Sequence, residues 1–162
     1  MPKAAYHLMH PQRRTTAVVF ASPHSGRDYS WSFLRRTNLN DHTVRSSEDA
    51  FVDLMNQHAQ RMGMVNTQFQ NATGWPAKNH FSSAHDMAIL AQAIVNDHPE
   101  YYGLYKEKYF EFNKIRQPNR NKLLWRDPSV DGLKTGHTEE AGFCLTASAQ
   151  RNGMRLIAVV MG

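Results

Sequence analysis

A single cysteine in 162 residues, Cys144, excludes an internal disulfide. It stands among apolar residues of an expected strand, which marks it as a buried structural thiol and not a nucleophile. No run of about 18 apolar residues occurs, so no transmembrane helix is expected. The N-terminus, MPKAAYHLMHPQRRTTAVVFAS, also lacks a secretory core: its apolar run from Ala17 to Ala21 is short and follows Arg13 and Arg14. As written, the sequence is expected to stay in the cytoplasm. No block of about five or six like charges appears. The net charge of +5 is spread over Lys and Arg interleaved with Asp and Glu, which does not by itself indicate a nucleic-acid partner. What is present, 41% hydrophobic and 20% charged residues, fits one ordinary globular domain with a core.

Periodicity divides the chain. Thr16 to Ser22 reads as a buried strand ended by Pro23, and PHSGRDYS follows as a loop. Ser47 precedes a helix expected at 48 to 62, where Phe51, Leu54, Met55, His58 and Met62 recur at helical spacing and Gly63 fits just past the end. NTQFQNATGWPAKNHFSS is turn-rich and long, the signature of a functional or well-packed loop. Ser83 caps a second helix with Asp86 three residues on. Its buried stripe is Met87, Leu90, Ala91 and Ile94, and Pro99 closes it. PEYYGLYK adds a helical turn, and KYFEFN alternates like a strand. At the C-terminus Gly142 to Gln150 and Met154 to Met161 flank Asn152-Gly153, a hairpin signal because both residues tolerate positive φ. With Val130 to Thr135 before them they form an antiparallel meander. Its last strand reaches the final residue, so an uncovered sheet is expected.

The sharpest chemical motif is Lys134-Thr135-Gly136. On an edge strand the ammonium attracts a carboxylate, the threonine hydroxyl donates to it, and the glycine admits a substrate backbone alongside. Alone, such a triplet is no more than a solvated strand end. Its surroundings are specific: SEDAFVDLMNQHAQRMGMVNTQFQNATGWP, SSAHDMAILAQAIV, PEYYGLYKEKYFEFNKIRQPNRNKLLW and VDGLKTGHTEEAGFCLTASAQRNGMRLIAVVMG. Together they resemble the later half of a D-alanyl-D-alanine carboxypeptidase, the serine peptidase family of low-molecular-mass penicillin-binding proteins, over residues 47–162. The resemblance implies an α+β, partial β-lactamase/D,D-peptidase-like fold: an antiparallel sheet with a C-terminal hairpin packed on helices. It also implies removal of terminal D-alanine from peptidoglycan pentapeptides through an acyl-serine, with no cofactor. The ligand is then a D-Ala-D-Ala peptide or a β-lactam, at a site outside the cytoplasmic membrane. By the same resemblance Lys134, Thr135, Gly136 and His137 belong to the substrate-binding strand, and Arg120 of RQPNRN lies near the substrate carboxylate, which its paired donors suit. The structural alternatives are a loop clamp for Arg120 and an ordinary strand-end residue for His137.

The nucleophile is missing. Such an enzyme needs a serine with a lysine three residues on, both on one helix face. No serine in the sequence has that lysine, and none has an asparagine two residues on. No catalytic residue is therefore assigned, and the chain alone is expected to be inactive. Residues 1–46 form a separate N-terminal segment, and residues 17–53, with SPHSGRDY and RSSEDAFVD, resemble the start of an N-formylglutamate amidohydrolase. That second resemblance implies a metal-dependent hydrolase, with His24 a first zinc ligand and Asp49 an acidic partner. A catalytic zinc needs three protein ligands and an open position, which these two do not complete. A non-catalytic ligand-binding role is the remaining alternative. Oligomeric state is not legible in the sequence.

Overall fold

The computed structural model describes residues 41–162, with side chains placed from residue 48. The expected strand from Thr16 to Ser22, the loop after it and His24 lie outside the described residues. Helix α1 spans Asp41–Arg61. It starts before the expected residue 48, and Ser47 is an internal residue, because Asp41 to Ser46 contain no Pro or Gly to break it. The helix runs unbroken across the 46/47 boundary. Its end is as expected: Gly63 adopts φ 82°, the Gly63 N–H donates to Gln60 O at 3.0 Å, and the Met64 N–H donates to Ala59 O at 2.9 Å. That pair of bonds is a Schellman cap.

The long loop is well packed. Asn56 exchanges two hydrogen bonds with the Phe69 backbone (2.8 and 2.9 Å), and Gln68 bridges Phe81. Asn71 Oδ1 accepts from the backbone N–H groups of Thr73, Gly74 and Trp75. His80 Nδ1 accepts from the Gln70 N–H at 3.0 Å, and burial lowers its pKa. The loop is tied to helix α2, Ala84–Asp97, through Asp86. Ser83 caps that helix as expected, accepting from the Asp86 N–H. The Asp86 carboxylate is fully buried and accepts from the Asn66 N–H and the Thr67 hydroxyl, both at 2.7 Å. Burial pushes its pKa up, but hydrogen bonds from Thr67, Asn66, His85 and Ser83 outweigh it and hold the carboxyl below its ordinary value.

A short helix α3, Pro99–Tyr102, and a 3₁₀ turn, Gly103–Lys106, follow. The expected strand in KYFEFN is β1, Tyr109–Phe112, paired with β2, Ile115–Pro118, through a turn whose Asn113 and Lys114 have positive φ. Helix α4 is Leu123–Arg126. The meander is β3 (Val130–Thr138), β4 (Gly142–Arg151) and β5 (Met154–Val160), antiparallel in the order β3-β4-β5. Asn152 (φ 50°) and Gly153 (φ 77°) make the expected turn.

Helix α2 packs on one face of this sheet. Ala91 is buried there with Tyr102 and Leu133, and Ile94, Val95, Tyr105 and Ile157 pack against them. Met87, Leu90 and Ile94 are only half-buried, because the helix meets a three-stranded sheet and no second layer among the described residues covers its flanks. On β5 the residues alternate: Arg155, Ile157 and Val159 are half-buried, while Leu156 and Val160 are exposed together with Phe143 of β4. Among the described residues nothing packs on that face.

At the head of β3 the register shifts between Val130 and Gly132, leaving Asp131 as the extra residue. Such a bulge re-aims a side chain. Asp131 Oδ1 accepts from Tyr102 Oη at 2.8 Å, and both carboxylate oxygens accept from Arg155 Nη1 at 2.6 Å. Arg155 also donates to buried Ser148 at 3.0 Å. Gly132 is required beside this cluster: a Cβ there would lie 2.7 Å from Tyr102 Oη and 3.3 Å from its ring.

Asp86 gives the fold an acid-sensitive joint. Its folded pKa lies below the ordinary 3.8, so its contribution is complete above that value and is lost as pH falls through the folded pKa. Asp86→Asn should lower Tm near neutrality and flatten the fall in Tm below about pH 4. An acid limb identical to that of the parent chain contradicts this assignment.

Candidate functional site

Among the described residues β3 is an edge strand: β4 pairs one side and no strand pairs the other. Its open side offers backbone groups that an extended ligand can join as an added strand. Lys134 lies opposite Thr146, Thr135 opposite Leu145, Gly136 opposite Cys144 and His137 opposite Phe143. Alternation places Lys134 and Gly136 on one face and Thr135 and His137 on the other. One ligand therefore meets Lys134 and Thr135 together only along the open edge. Lys134, Gly136 and His137 are exposed, and Thr135 is half-buried.

Arg120 reaches this edge through its neighbours. Asn121 is buried: its side-chain amide donates to Gly132 O at 3.1 Å, and its Oδ1 accepts from the Leu123 N–H at 3.2 Å. Asn119 Oδ1 accepts from the Asn121 N–H at 2.9 Å, and Asn119 Nδ2 donates to Glu107 O at 3.0 Å. The QPNRN loop is thereby fixed to β3 just before the Lys-Thr-Gly triplet. Arg120, exposed between the two asparagines, is close enough to act on Lys134. Shielding of the ammonium lowers the Lys134 pKa first, and repulsion from Arg120 lowers it further. Since Lys134 is exposed overall, solvent screens much of that repulsion. Its Nζ donates to Thr135 O.

Gly136 has no steric reason within the chain: a Cβ there would meet only Cys144 Cβ, at 3.8 Å, an ordinary contact. The His137 ring stacks on Phe143 with centroids 4.1 Å apart and planes tilted by 36°. Cys144 is half-buried, a correction to the fully buried thiol expected from its neighbours, because its face of β4 lies opposite side-chain-free Gly136.

Of the substrate-strand residues, the structure brings Arg120 within electrostatic reach of Lys134. It does not bring the second set together. Asp49 is exposed on α1, and among the described residues no three His, Cys, Asp or Glu side chains are grouped to hold a metal ion. The zinc reading gains no support. Sequence reasoning missed the residues that position the site: Asn119, Asn121, Tyr102, Asp131 and Arg155. The doubled Asn after Pro118 is a signal for the first two, since asparagine side chains take over turn hydrogen bonds.

A profile of the D-alanyl-D-alanine carboxypeptidase family (Peptidase S11) matches residues 39–162. The chain belongs to this family. It is 52% identical over 120 residues to D-alanyl-D-alanine carboxypeptidase DacC of Escherichia coli, covering 74% of this chain and 30% of that protein. Against DacA of the same organism it is 54% identical over 117 residues, covering 72% and 29%. The chain thus spans about 30% of the length of the curated relatives it matches. Among solved structures it is similar to penicillin binding protein 5 from Haemophilus influenzae (TM-score 0.67, 54% identity, 69% of this chain and 33% of that one). It is also similar to Penicillin-Binding Protein D2 from Listeria monocytogenes in its cefotaxime-bound form (TM-score 0.64, 33% identity, 68% and 47%). The α+β D,D-peptidase fold implied by the sequence is therefore the fold of this chain, and no helix among the described residues is long and apolar enough to cross a membrane.

Arg120 and Lys134 are separated by 13 intervening residues, so their coupling is a test of the loop anchor. Arg120→Gln should raise the Lys134 pKa toward its ordinary value, only in part, because shielding is the larger cause. An NMR titration of the lysine side chains reads this directly. An unmoved Lys134 would show that the two cations are apart in solution.

Proposed function

We propose that this chain carries the carboxylate-binding wall of a serine-type D,D-carboxypeptidase site and binds D-Ala-D-Ala termini without forming an acyl-enzyme by itself. The observation that carries the reading is geometric: Lys134 and Thr135 stand on an open strand edge, and the loop bearing Arg120 is tied to the same strand by the hydrogen bond from Asn121 to Gly132 O. Two like charges held together by a buried asparagine repel each other, and a bound carboxylate relieves that repulsion. Thr135 adds a hydroxyl donor at the same edge, and Gly136 leaves the space above the strand free for a ligand backbone. Family membership supplies the ligand class, and the cefotaxime-bound relative shows that a related protein takes a β-lactam.

Binding is one part of the family's chemistry and acyl transfer is another. The wall orients a carboxylate, whereas acylation needs a hydroxyl whose proton a nearby amine removes. No Ser-x-x-Lys pair exists in this sequence, so the wall has no nucleophile of its own to present. His137 stacks on Phe143 at the end of the same strand and bounds the edge.

Two measurements test the proposal together. A labelled penicillin should leave no covalent label on the purified chain, and calorimetry should show weak, saturable binding of an acylated D-Ala-D-Ala peptide. Lys134→Ala and Arg120→Gln should each weaken that binding by about fivefold, as for exposed charge pairs. Gly136→Val should abolish it with Tm nearly unchanged. Covalent labelling sinks the claim of inactivity, and binding indifferent to all three substitutions sinks the site.

A further inference from the structure

The β1–β2 hairpin presents an apolar face with nothing on it among the described residues. Register pairs Phe110 with Gln117 and Phe112 with Ile115, so Phe110, Phe112 and Ile115 share one face. They are 65%, 55% and 60% exposed, and every residue of both strands is exposed. Among the described residues the hairpin is tethered at its base. There the Asn119 N–H donates to Lys108 O at 2.8 Å, and Tyr109 meets Trp125 edge-on with ring centroids 5.9 Å apart. Four-residue strands project roughly 13 Å from such a base.

Charge says what covers this face. Arg120 aside, residues 106–126 hold six Lys and Arg against Glu107 and Glu111, a local net +4. Lys114 sits at the turn with φ 63°, placing a cation at the tip. Lys108 lies over Trp125 at 5.9 Å, and the Arg116 guanidinium stands 3.7 Å from the centre of the Tyr109 ring. A projecting apolar face, Tyr and Trp at its base and cations around it are the features of an element lying in the headgroup layer of an anionic membrane. The other apolar surface, around Phe143, Leu156 and Val160, adjoins Glu139 and Glu140 of the β3–β4 turn, and the cation on its face, Arg151, is paired with Asp127.

We infer that this hairpin docks on an anionic phospholipid surface, with Phe110, Phe112 and Ile115 entering the interface and Lys108, Lys114 and their neighbours meeting lipid phosphates. The inference is independent of the carboxylate-binding reading, since none of Arg120, Lys134 and Thr135 takes part. Insertion about 5–10 Å deep is within the reach of the hairpin.

Co-sedimentation of the full chain with vesicles tests it. Phosphatidylglycerol/phosphatidylethanolamine vesicles should carry the protein down, phosphatidylcholine vesicles should not, and added salt should release it. Phe110→Ser with Phe112→Ser should abolish sedimentation, and Lys114→Asn or Lys108→Gln should each weaken it about fivefold. Phe143→Ser with Leu156→Ser, on the sheet face, should leave it unchanged. All these side chains are exposed, and circular dichroism checks that each variant folds. No sedimentation with either vesicle, equal sedimentation with both, or loss through the sheet-face pair while Phe110→Ser still sediments overturns the inference, whatever acidic peptide or nucleic acid the hairpin then binds.

Discussion

Asp131 is the residue on which the rest of the sheet is hung. It is the extra residue of a bulge, so its carboxylate leaves the regular pleat and meets three elements at once: Tyr102 from α3, Arg155 from β5 and, through Arg155, Ser148 from β4. A half-buried carboxylate without these donors is expensive, and so is a half-buried guanidinium without the carboxylate. Each partner therefore fixes the other. The hydrogen bond to Asp131 raises the Arg155 pKa above its already high value, and the Tyr102 hydroxyl is raised by burial and then by the Asp131 charge. The outcome is a strand whose start is held from helix and sheet alike, with Lys134 three residues further on. Gly132 belongs to the same constraint, because any side chain there would displace the Tyr102 hydroxyl.

The site is built from what that constraint leaves free. Asn121 borrows the Gly132 carbonyl, so the loop bearing Arg120 is registered against the same strand segment that Asp131 fixes. Arg120 is thereby held within electrostatic reach of Lys134, and under the proposed function a bound carboxylate would relieve their repulsion. Neither charge is deeply buried, so the effect is moderate and sensitive to salt. In that proposal specificity rests on shape: an open strand edge, a threonine hydroxyl and a glycine with free space above it.

Local physics made much of this legible from sequence, and long-range packing hid the rest. The Ser83 cap, the Gly63 terminus and the Asn152-Gly153 turn depend on residues a few positions apart, and each stands where its spacing places it. The triplet at 134–136 was readable for the same reason, and Arg120 entered through the family resemblance of its motif. Helix α1 starts ahead of the point its sequence suggests, because Ser47 imitates a cap while the absence of any breaker upstream lets the helix continue. Strand β2 and helix α4 are four-residue elements without a period to detect. The Asp131 cluster joins residues 29, 24 and 7 apart in sequence, which no local pattern encodes. His24 lies outside the described residues, and Asp49 is exposed on α1, where among the described residues no three His, Cys, Asp or Glu side chains group to hold a metal ion.

A wall that binds a carboxylate and a nucleophile that attacks a carbonyl are separable parts of one active site. Contacts to the terminal carboxylate hold ground state and transition state alike, since that group does not change during acyl transfer, and so they supply affinity and orientation and not rate. Acceleration comes from the activated hydroxyl and from donors aimed at the developing oxyanion. In the proposed reading the described residues supply the first part: β3 to β5, the anchored Arg120 loop and the Asp131 cluster together set the geometry of the edge. That independence is why a chain with no Ser-x-x-Lys can keep a well-defined Lys-Thr-Gly strand, and why its presence testifies to ligand class more strongly than to turnover.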